Sequence, residues 1–370
     1  MELARERALS LNKVSAQPGE SVSLPQHNFG APCFIRKAMT ASSTYPPMDI
    51  GLILTYKCQS ACKHCLYNCG PAWVDWMNPD DIQAALQIIN SFENRTQIHI
   101  TGGEPFLNFP LLLKTVEMAA ELGIPRYVET NAGWCINPRL VADRFMALRD
   151  AGLHAILISC SPFHAETIPL TRTLLAIDRA LSVFGPNRVL IYIPEWIDQI
   201  RRFGTQTPTP LERFVEAYGL NPAGLMFWDG YGLISGGRAG FKLGQFIERK
   251  PVSAFRNENC RQEILTVSHF HLDLYGNFIP NFCGGLSAGD WHNLPDVLNE
   301  FSQENFPPLI KILIESGPFG LYKFAQHNYQ FTPLKDGYSG KCHLCAHIRL
   351  HLSQVDQFPE LKPLMFYNSF

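Results

Sequence analysis

The sequence predicts an α/β fold, a partial (β/α)6 TIM-type barrel followed by a small C-terminal domain. Three observations carry that reading. From residue 49, short apolar segments alternate with amphipathic segments of helical period. Six such units in series imply a parallel sheet with right-handed crossovers, fewer than the eight of a closed barrel. After about residue 240 the alternation ends, and the rest of the chain carries Cys260, Cys283, Cys342 and Cys345.

The elements follow in order. Residues 1–48 show no period, end in Ser42-Ser43-Thr44-Tyr45-Pro46-Pro47, and are expected to form an irregular arm. The barrel is expected over 49–240. Its strands are Ile50 to Thr55, Gln97 to Thr101, Tyr127 to Thr130, Ala155 to Ser159, Val189 to Ile193 and Gly224 to Trp228. They read as nearly continuous apolar runs, the pattern of strands covered on both faces. Between them, Asn78-Pro79-Asp80-Asp81 supplies a cap, a first-turn proline and two acids at the positive end of a helix. Asn137-Pro138 starts another helix that Gly152 stops, and Thr209-Pro210 a third. Residues 241–370 form the second domain, with a hairpin turn at Asp273-Leu274-Tyr275-Gly276-Asn277 and a last helix from about Ala346 to Gln354.

Composition narrows the function classes. Of 370 residues, 46% are hydrophobic and only 17% charged, which is the balance of a folded chain and not of a disordered one. A net charge of -2 offers no basic face for nucleic acid. No apolar run approaches the ~20 residues that span a bilayer. The start Met1-Glu2-Leu3-Ala4-Arg5-Glu6-Arg7 lacks the order of a secretion signal, so a cytoplasmic location is expected. Thiols stay reduced there, and eleven cysteines need a reason other than disulfides. Grouped cysteines point to metal. Cys33, Cys135 and Cys160 lie outside the groups and read as ordinary buried or loop thiols.

The first group, Cys58-Gln59-Ser60-Ala61-Cys62-Lys63-His64-Cys65, has the spacing C-x3-C-x2-C directly after the first strand. Three thiolates around one iron–sulfur cube leave one iron open, and an open position separates a catalytic metal site from a closed one. In a parallel barrel the loops after strands form the active-site face. The alternative is a closed zinc or iron site with Cys69 as fourth ligand.

Later strands end in further polar loops. Thr101-Gly102-Gly103-Glu104-Pro105 pairs two glycines, which admit close backbone approach, with an acceptor for a cation. Glu129-Thr130-Asn131 ends the third strand, where such groups also simply cap a strand. Ser159-Cys160-Ser161-Pro162-Phe163-His164 ends the fourth. His164 and Glu166 are candidates for proton exchange with a substrate, although a histidine before a helix often serves only as a hydrogen-bond partner. Asp229, Tyr231 and Arg238, the last within Gly236-Gly237-Arg238-Ala239, are similar candidates.

Cys58, Cys62 and Cys65, with Gly102-Gly103-Glu104 one strand later, resemble the signature of the radical S-adenosylmethionine (SAM) superfamily. The resemblance implies a [4Fe-4S] cluster whose open iron binds SAM and cleaves it to methionine and a 5'-deoxyadenosyl radical. It further implies that Gly102, Gly103 and Glu104 receive the SAM amino group. Thr130 and Asn131 would lie near SAM, Ser159 by its ribose or methionine, and His64 beside the adenine, where the family usually has an aromatic residue. A flavodoxin or ferredoxin would supply electrons.

The second group adds Cys342-His343-Leu344-Cys345, a C-x2-C clip at a helix start, to Cys260 and Cys283. Helix N-terminal amides favour thiolates, and four from three segments make a closed site. This part resembles the SPASM/twitch extension of radical SAM enzymes, in its shorter form with one auxiliary cluster, expected as [4Fe-4S]. Structural zinc, with His343 and His347 nearby, is the alternative. The resemblance implies oxidative modification of a peptide or protein side chain. Dehydrogenation of a small molecule such as a sugar alcohol is the second reading. A non-catalytic electron carrier or zinc-stabilised scaffold is the third.

Overall fold

The computed structural model describes residues 48–92 and 96–370. The expected N-terminal arm up to residue 47, with Cys33, lies outside the described residues.

Five strands joined by four helical crossovers build the first part of the sheet. They are β1 (Asp49–Ile53), α1 (Pro79–Asn90), β2 (Gln97–Thr101), α2 (Phe109–Glu121), β3 (Arg126–Thr130), α3 (Pro138–Asp150), β4 (Ala155–Ser159), the short α4 (Pro162–Ala165), α5 (Leu170–Phe184) and β5 (Val189–Tyr192). Local chemistry sets the helix starts. Asn78 accepts a hydrogen bond from Asp81 N–H, and Asn137 from Arg139 and Leu140 N–H, each ahead of a first-turn proline. Ile82, Ala85, Leu86 and Ile89 of α1 fall on one face and are buried. Burying each of Ile82, Leu86 and Ile89 stabilises the docked helix by roughly 1.5–3 kcal/mol.

The strand order is β5-β4-β3-β2-β1-β6-β7. Here β6 (His269–Asp273) runs parallel to β1, with Gly51 opposite both His99 and His271, and β7 (Phe278–Pro280) returns antiparallel to β6. Six strands are therefore parallel, as a partial TIM-type barrel requires, but the sixth is β6. The segment Gly224–Trp228, expected as a strand, is helical. It continues α6 (Leu220–Leu225) through a wide turn at Met226–Gly230. Its apolar run is five residues long, too short to separate strand from helix by period, and Ala223 and Phe227 are buried at helical spacing.

One further expectation is corrected. The strands are not apolar on both faces. Ile50, Leu52, Ile98, Ile100, Val128, Ile156 and Ile158 join α1, α2, α3 and α5 in the main core. The opposite face carries Asp49, His99, Thr101, Tyr127 and Glu129, tied by Thr101 to Glu129 (2.7 Å) and Tyr127 to Asp49 (3.1 Å) hydrogen bonds.

The hairpin turn forms where expected, with Asp273 accepting from Tyr275 and Asn277 N–H. Beyond it come α7 (Leu294–Ser302), α8 (Pro308–Tyr329) and α9 (Lys341–Val355), whose first turns hold Cys342 and Cys345. The sheet thus draws strands from both sides of residue 240. None of the helices among the described residues is long and apolar enough to cross a membrane.

Candidate active site

The loop after β1 is closed on itself. Cys58 N–H donates to Gly70 O, Gly70 N–H to Tyr56 O, and Cys65 N–H to Cys62 O. Cys58 and Cys62 are buried and Cys65 half-buried. The Cys58 sulfur accepts from Ser60 N–H (3.4 Å) and Asn131 Nδ2 (3.3 Å). Burial pushes the Cys58 thiol up to about 12, and burial together with the charges of Cys58 and Cys65 pushes Cys62 well above the usual thiol range. The three thiols are thus close enough to act on one another. Thiolates there need a cation, and a metal supplies one.

Cys69, read from sequence as a loop residue, puts its thiol against Cys65. Its hydrogen bond, with the charge of Arg238, lowers Cys65, and the same bond together with burial raises Cys69. Arg238 is buried, and its guanidinium donates to Cys62 O (3.0 Å) and Cys69 O (2.7 Å). Gly237, at φ +52°, lies so close that an added Cβ would sit 2.2 Å from Cys65 O. The Gly236-Gly237-Arg238 segment therefore clasps the cysteine loop, a role without local sequence signal.

The Gly102-Gly103-Glu104 loop is the second wall. Gly103 N–H donates to Thr55 O (2.8 Å) and Glu104 N–H to Lys57 O (2.9 Å). A Cβ on Gly102 would meet Thr55 O at 2.2 Å, and one on Gly103 would meet Lys57 O at 2.0 Å. The glycines let this loop lie against the cysteine loop itself. Glu104 is fully buried. Its carboxylate accepts from Thr130 Oγ1 (3.0 Å), Asn131 N–H (2.8 Å) and Phe106 N–H (3.2 Å), and burial still pushes it up to about 7. Asn131 links both walls, since its Oδ1 also accepts from Gln59 Nε2 (2.6 Å).

The remaining candidates divide. Ser159 ends β4 half-buried. Ser161 caps α4, accepting from His164 N–H and lying 2.7 Å from His164 Nδ1, so His164 has a local partner. Burial holds His164 down at about 4. Glu166 pairs with Lys63 (2.5 Å), and Thr167 Oγ1 donates to Ser60 Oγ (2.8 Å), so both residues pin the cysteine loop. His64 stacks on Phe163 at 4.7 Å and meets His164 and Tyr231 edge-on, with its Nδ1 buried and unpartnered. Tyr231 is buried in that aromatic group. Asp229 is not brought to it. It is exposed in a separate cleft beside Leu220, Leu225, Trp228 and Phe246.

The second cysteine group converges. Burial pushes Cys342 and Cys283 up to about 12, and Cys260 higher still, where the charges of Cys345, Cys283 and Cys342 add to burial. Arg349 faces Cys283 and Cys345 and donates to Gly284 O (3.0 Å). Leu66 joins the two groups, because Gly237 and Gly284 each pack on its backbone, and a Cβ added at Gly236 would lie 3.7 Å from Cys342 Cβ. Among the described residues, only His99, His269 and His271 gather three ligand atoms within 4.8 Å of one another.

Residues 52–180 match the family model described as the radical SAM superfamily. YydG of Bacillus subtilis (strain 168), a protein named for peptide biosynthesis, is 23% identical over 122 residues, which cover 32% of this chain and 37% of that protein. The solved structure of BtrN with AdoMet and 2-DOIA aligns at 14% identity over 74% of this chain and 89% of that one, with a TM-score of 0.44. That of anSMEcpe with AdoMet and the Cp18Cys peptide aligns at 12% identity over 73% and 84%, with a TM-score of 0.44. The superfamily implies a [4Fe-4S] cluster and SAM. The 52–180 segment that matches the radical SAM superfamily holds Cys58, Cys62, Cys65 and the Gly102–Glu104 loop.

Proposed function

We propose that this chain is a radical SAM enzyme that oxidatively modifies a peptide or protein side chain. Cys58, Cys62 and Cys65 would hold the [4Fe-4S] cluster, and Cys260, Cys283, Cys342 and Cys345 an auxiliary one. The chemistry supplied there with SAM bound is one-electron cleavage to a 5'-deoxyadenosyl radical that takes a hydrogen atom from the substrate. The single observation that carries the reading is the convergence on Cys58 of its own loop, the Glu104 loop and Asn131.

The chain's own residues serve this chemistry in distinct ways. Ser60 N–H and Asn131 Nδ2 donate to the Cys58 sulfur and favour its thiolate. Arg238, Lys63–Glu166 and Ser60–Thr167 hold the loop rigid. The buried Glu104 carboxylate, in a low-dielectric wall, favours a cationic group such as the SAM ammonium. His64, Phe163 and Tyr231 give an aromatic face for a nucleoside base. His164, Glu166 and Tyr231 remain the proton-exchange candidates nearest that face, and Ser159 a contact for SAM. A flavodoxin or ferredoxin-type protein would be the reductant. The peptide substrate is supported by the name of the YydG relative.

The test is anaerobic reconstitution, iron and sulfide counting, and dithionite with SAM. The expected result is 5'-deoxyadenosine that vanishes in Cys58→Ala, Cys62→Ala and Cys65→Ala. Cleavage that survives any of these would overturn the assignment. Incubation with short peptides encoded beside the gene, read by mass spectrometry for loss of two hydrogens, tests the substrate class.

A further inference from the structure

On the polar face of the sheet, three imidazoles converge. His99 stands on β2, and His269 and His271 on β6, flanking Gly51 of β1. An added Cβ at Gly51 would lie 2.1 Å from His271 Cδ2 and 2.6 Å from His99 Nε2, so glycine is what leaves room for the rings. One nitrogen from each ring lies within 4.8 Å of the others.

The proton positions follow from the partners. His99 Nδ1 lies 2.8 Å from Asp49 Oδ1, and His271 Nδ1 lies 2.9 Å from Asn281 O. A carboxylate and a carbonyl only accept, so both Nδ1 atoms carry hydrogen. In the neutral rings both Nε2 atoms then present lone pairs, and they are 3.2 Å apart. A proton or a metal ion between them would engage both lone pairs. A shared proton would satisfy two rings and give no reason for a third. His269 nevertheless joins them, with a buried and unpartnered Nε2. Tyr67 Oη, 3.0 and 3.3 Å from the two nitrogens of His271, stands beside the group.

We propose that His99, His269 and His271 bind a divalent metal ion of the zinc class, with Asp49 and the Asn281 carbonyl as the outer partners that orient the rings. Tetrahedral zinc with Zn–N near 2.0–2.1 Å separates its nitrogens by about 3.3 Å, close to the His99–His271 spacing. Ligating histidines characteristically donate their other N–H to a carboxylate or backbone carbonyl, as both do here. Tyr127, bonded to the second Asp49 oxygen, fixes the outer partner in turn.

The test uses the full chain with its iron loaded anaerobically, equilibrated with zinc, desalted, and measured for zinc and iron by mass spectrometry. About one zinc per chain is expected, with a first shell of nitrogen or oxygen near 2.0 Å by zinc-edge absorption. His269→Ala should lose the zinc while keeping the iron. Asp49→Asn, which preserves shape, should weaken zinc binding roughly 10- to 100-fold. Wild-type protein without zinc would mean a shared proton and overturn the proposal. So would sulfur near 2.3 Å, or zinc retained in His269→Ala at unchanged affinity.

Discussion

Gly103→Ala isolates the contact between the two loops that build the site. Gly103 has no left-handed backbone demand among the positive-φ glycines, so alanine suffers only from its methyl group. That methyl would sit 2.0 Å from Lys57 O and 2.4 Å from Lys57 C. Both are backbone atoms, so no rotamer change relieves the clash. Ordinary contact begins near 3.4 Å, so the loops must part by about 1.4 Å. The Gly103–Thr55 and Glu104–Lys57 hydrogen bonds, at 2.8 and 2.9 Å, cannot survive that separation. Two buried backbone pairs lost at roughly 1–3 kcal/mol each put the cost at about 2–6 kcal/mol. Cys58 follows Lys57 directly, so the movement also draws its sulfur away from Asn131. The assay is iron per chain after anaerobic reconstitution, 5'-deoxyadenosine yield and a thermal melt. A lower melting temperature with loss of roughly half the iron is expected, the second site keeping its share. An alanine variant with wild-type iron, yield and melt would refute the packing argument.

Further outcomes follow from other contacts. Cys69→Ala should keep 5'-deoxyadenosine formation, because Cys69 acts on Cys65 by hydrogen bonding; loss of both iron and cleavage would make it a fourth ligand. Cys345→Ala should lower iron from about eight to about four per chain, and unchanged iron with lost zinc would assign the second site to zinc. Arg238→Met removes two hydrogen bonds from a charged donor, each worth roughly 1.5–3 kcal/mol, and iron in the first site should fall. His164 is held at about 4, below its unfolded value of 6.5. Between those pH values the unfolded chain binds a proton the folded chain does not, so stability is lost as pH falls through that window. His164→Asn should flatten the denaturant midpoint's pH slope there; an identical slope contradicts the buried neutral ring.

Much of the site was legible because it is local. Asn78 and Asn137 announce their helices within four residues, and the C-x3-C-x2-C and C-x2-C spacings are read from the chain directly. What escaped depends on distant pairing. The sixth strand was sought in the apolar run at Gly224–Trp228, whereas β6 carries two histidines whose reason is the neighbouring Gly51. Arg238 reaches carbonyls of the cysteine loop, and Lys63 reaches Glu166, across separations that no period records. His99 and His271 meet only once β1 lies between them.

The position of β6 has a consequence for how the chain is made. Until residues 269–273 emerge from the ribosome, β1 has an open hydrogen-bonding edge on the side away from β2. β1 must therefore wait, unsealed on that edge, for a partner synthesised more than two hundred residues later. Such long-range closure slows folding and exposes an aggregation-prone edge. A fragment ending near residue 240 should precipitate on expression, and chaperone dependence should be relieved only when the late strand is present.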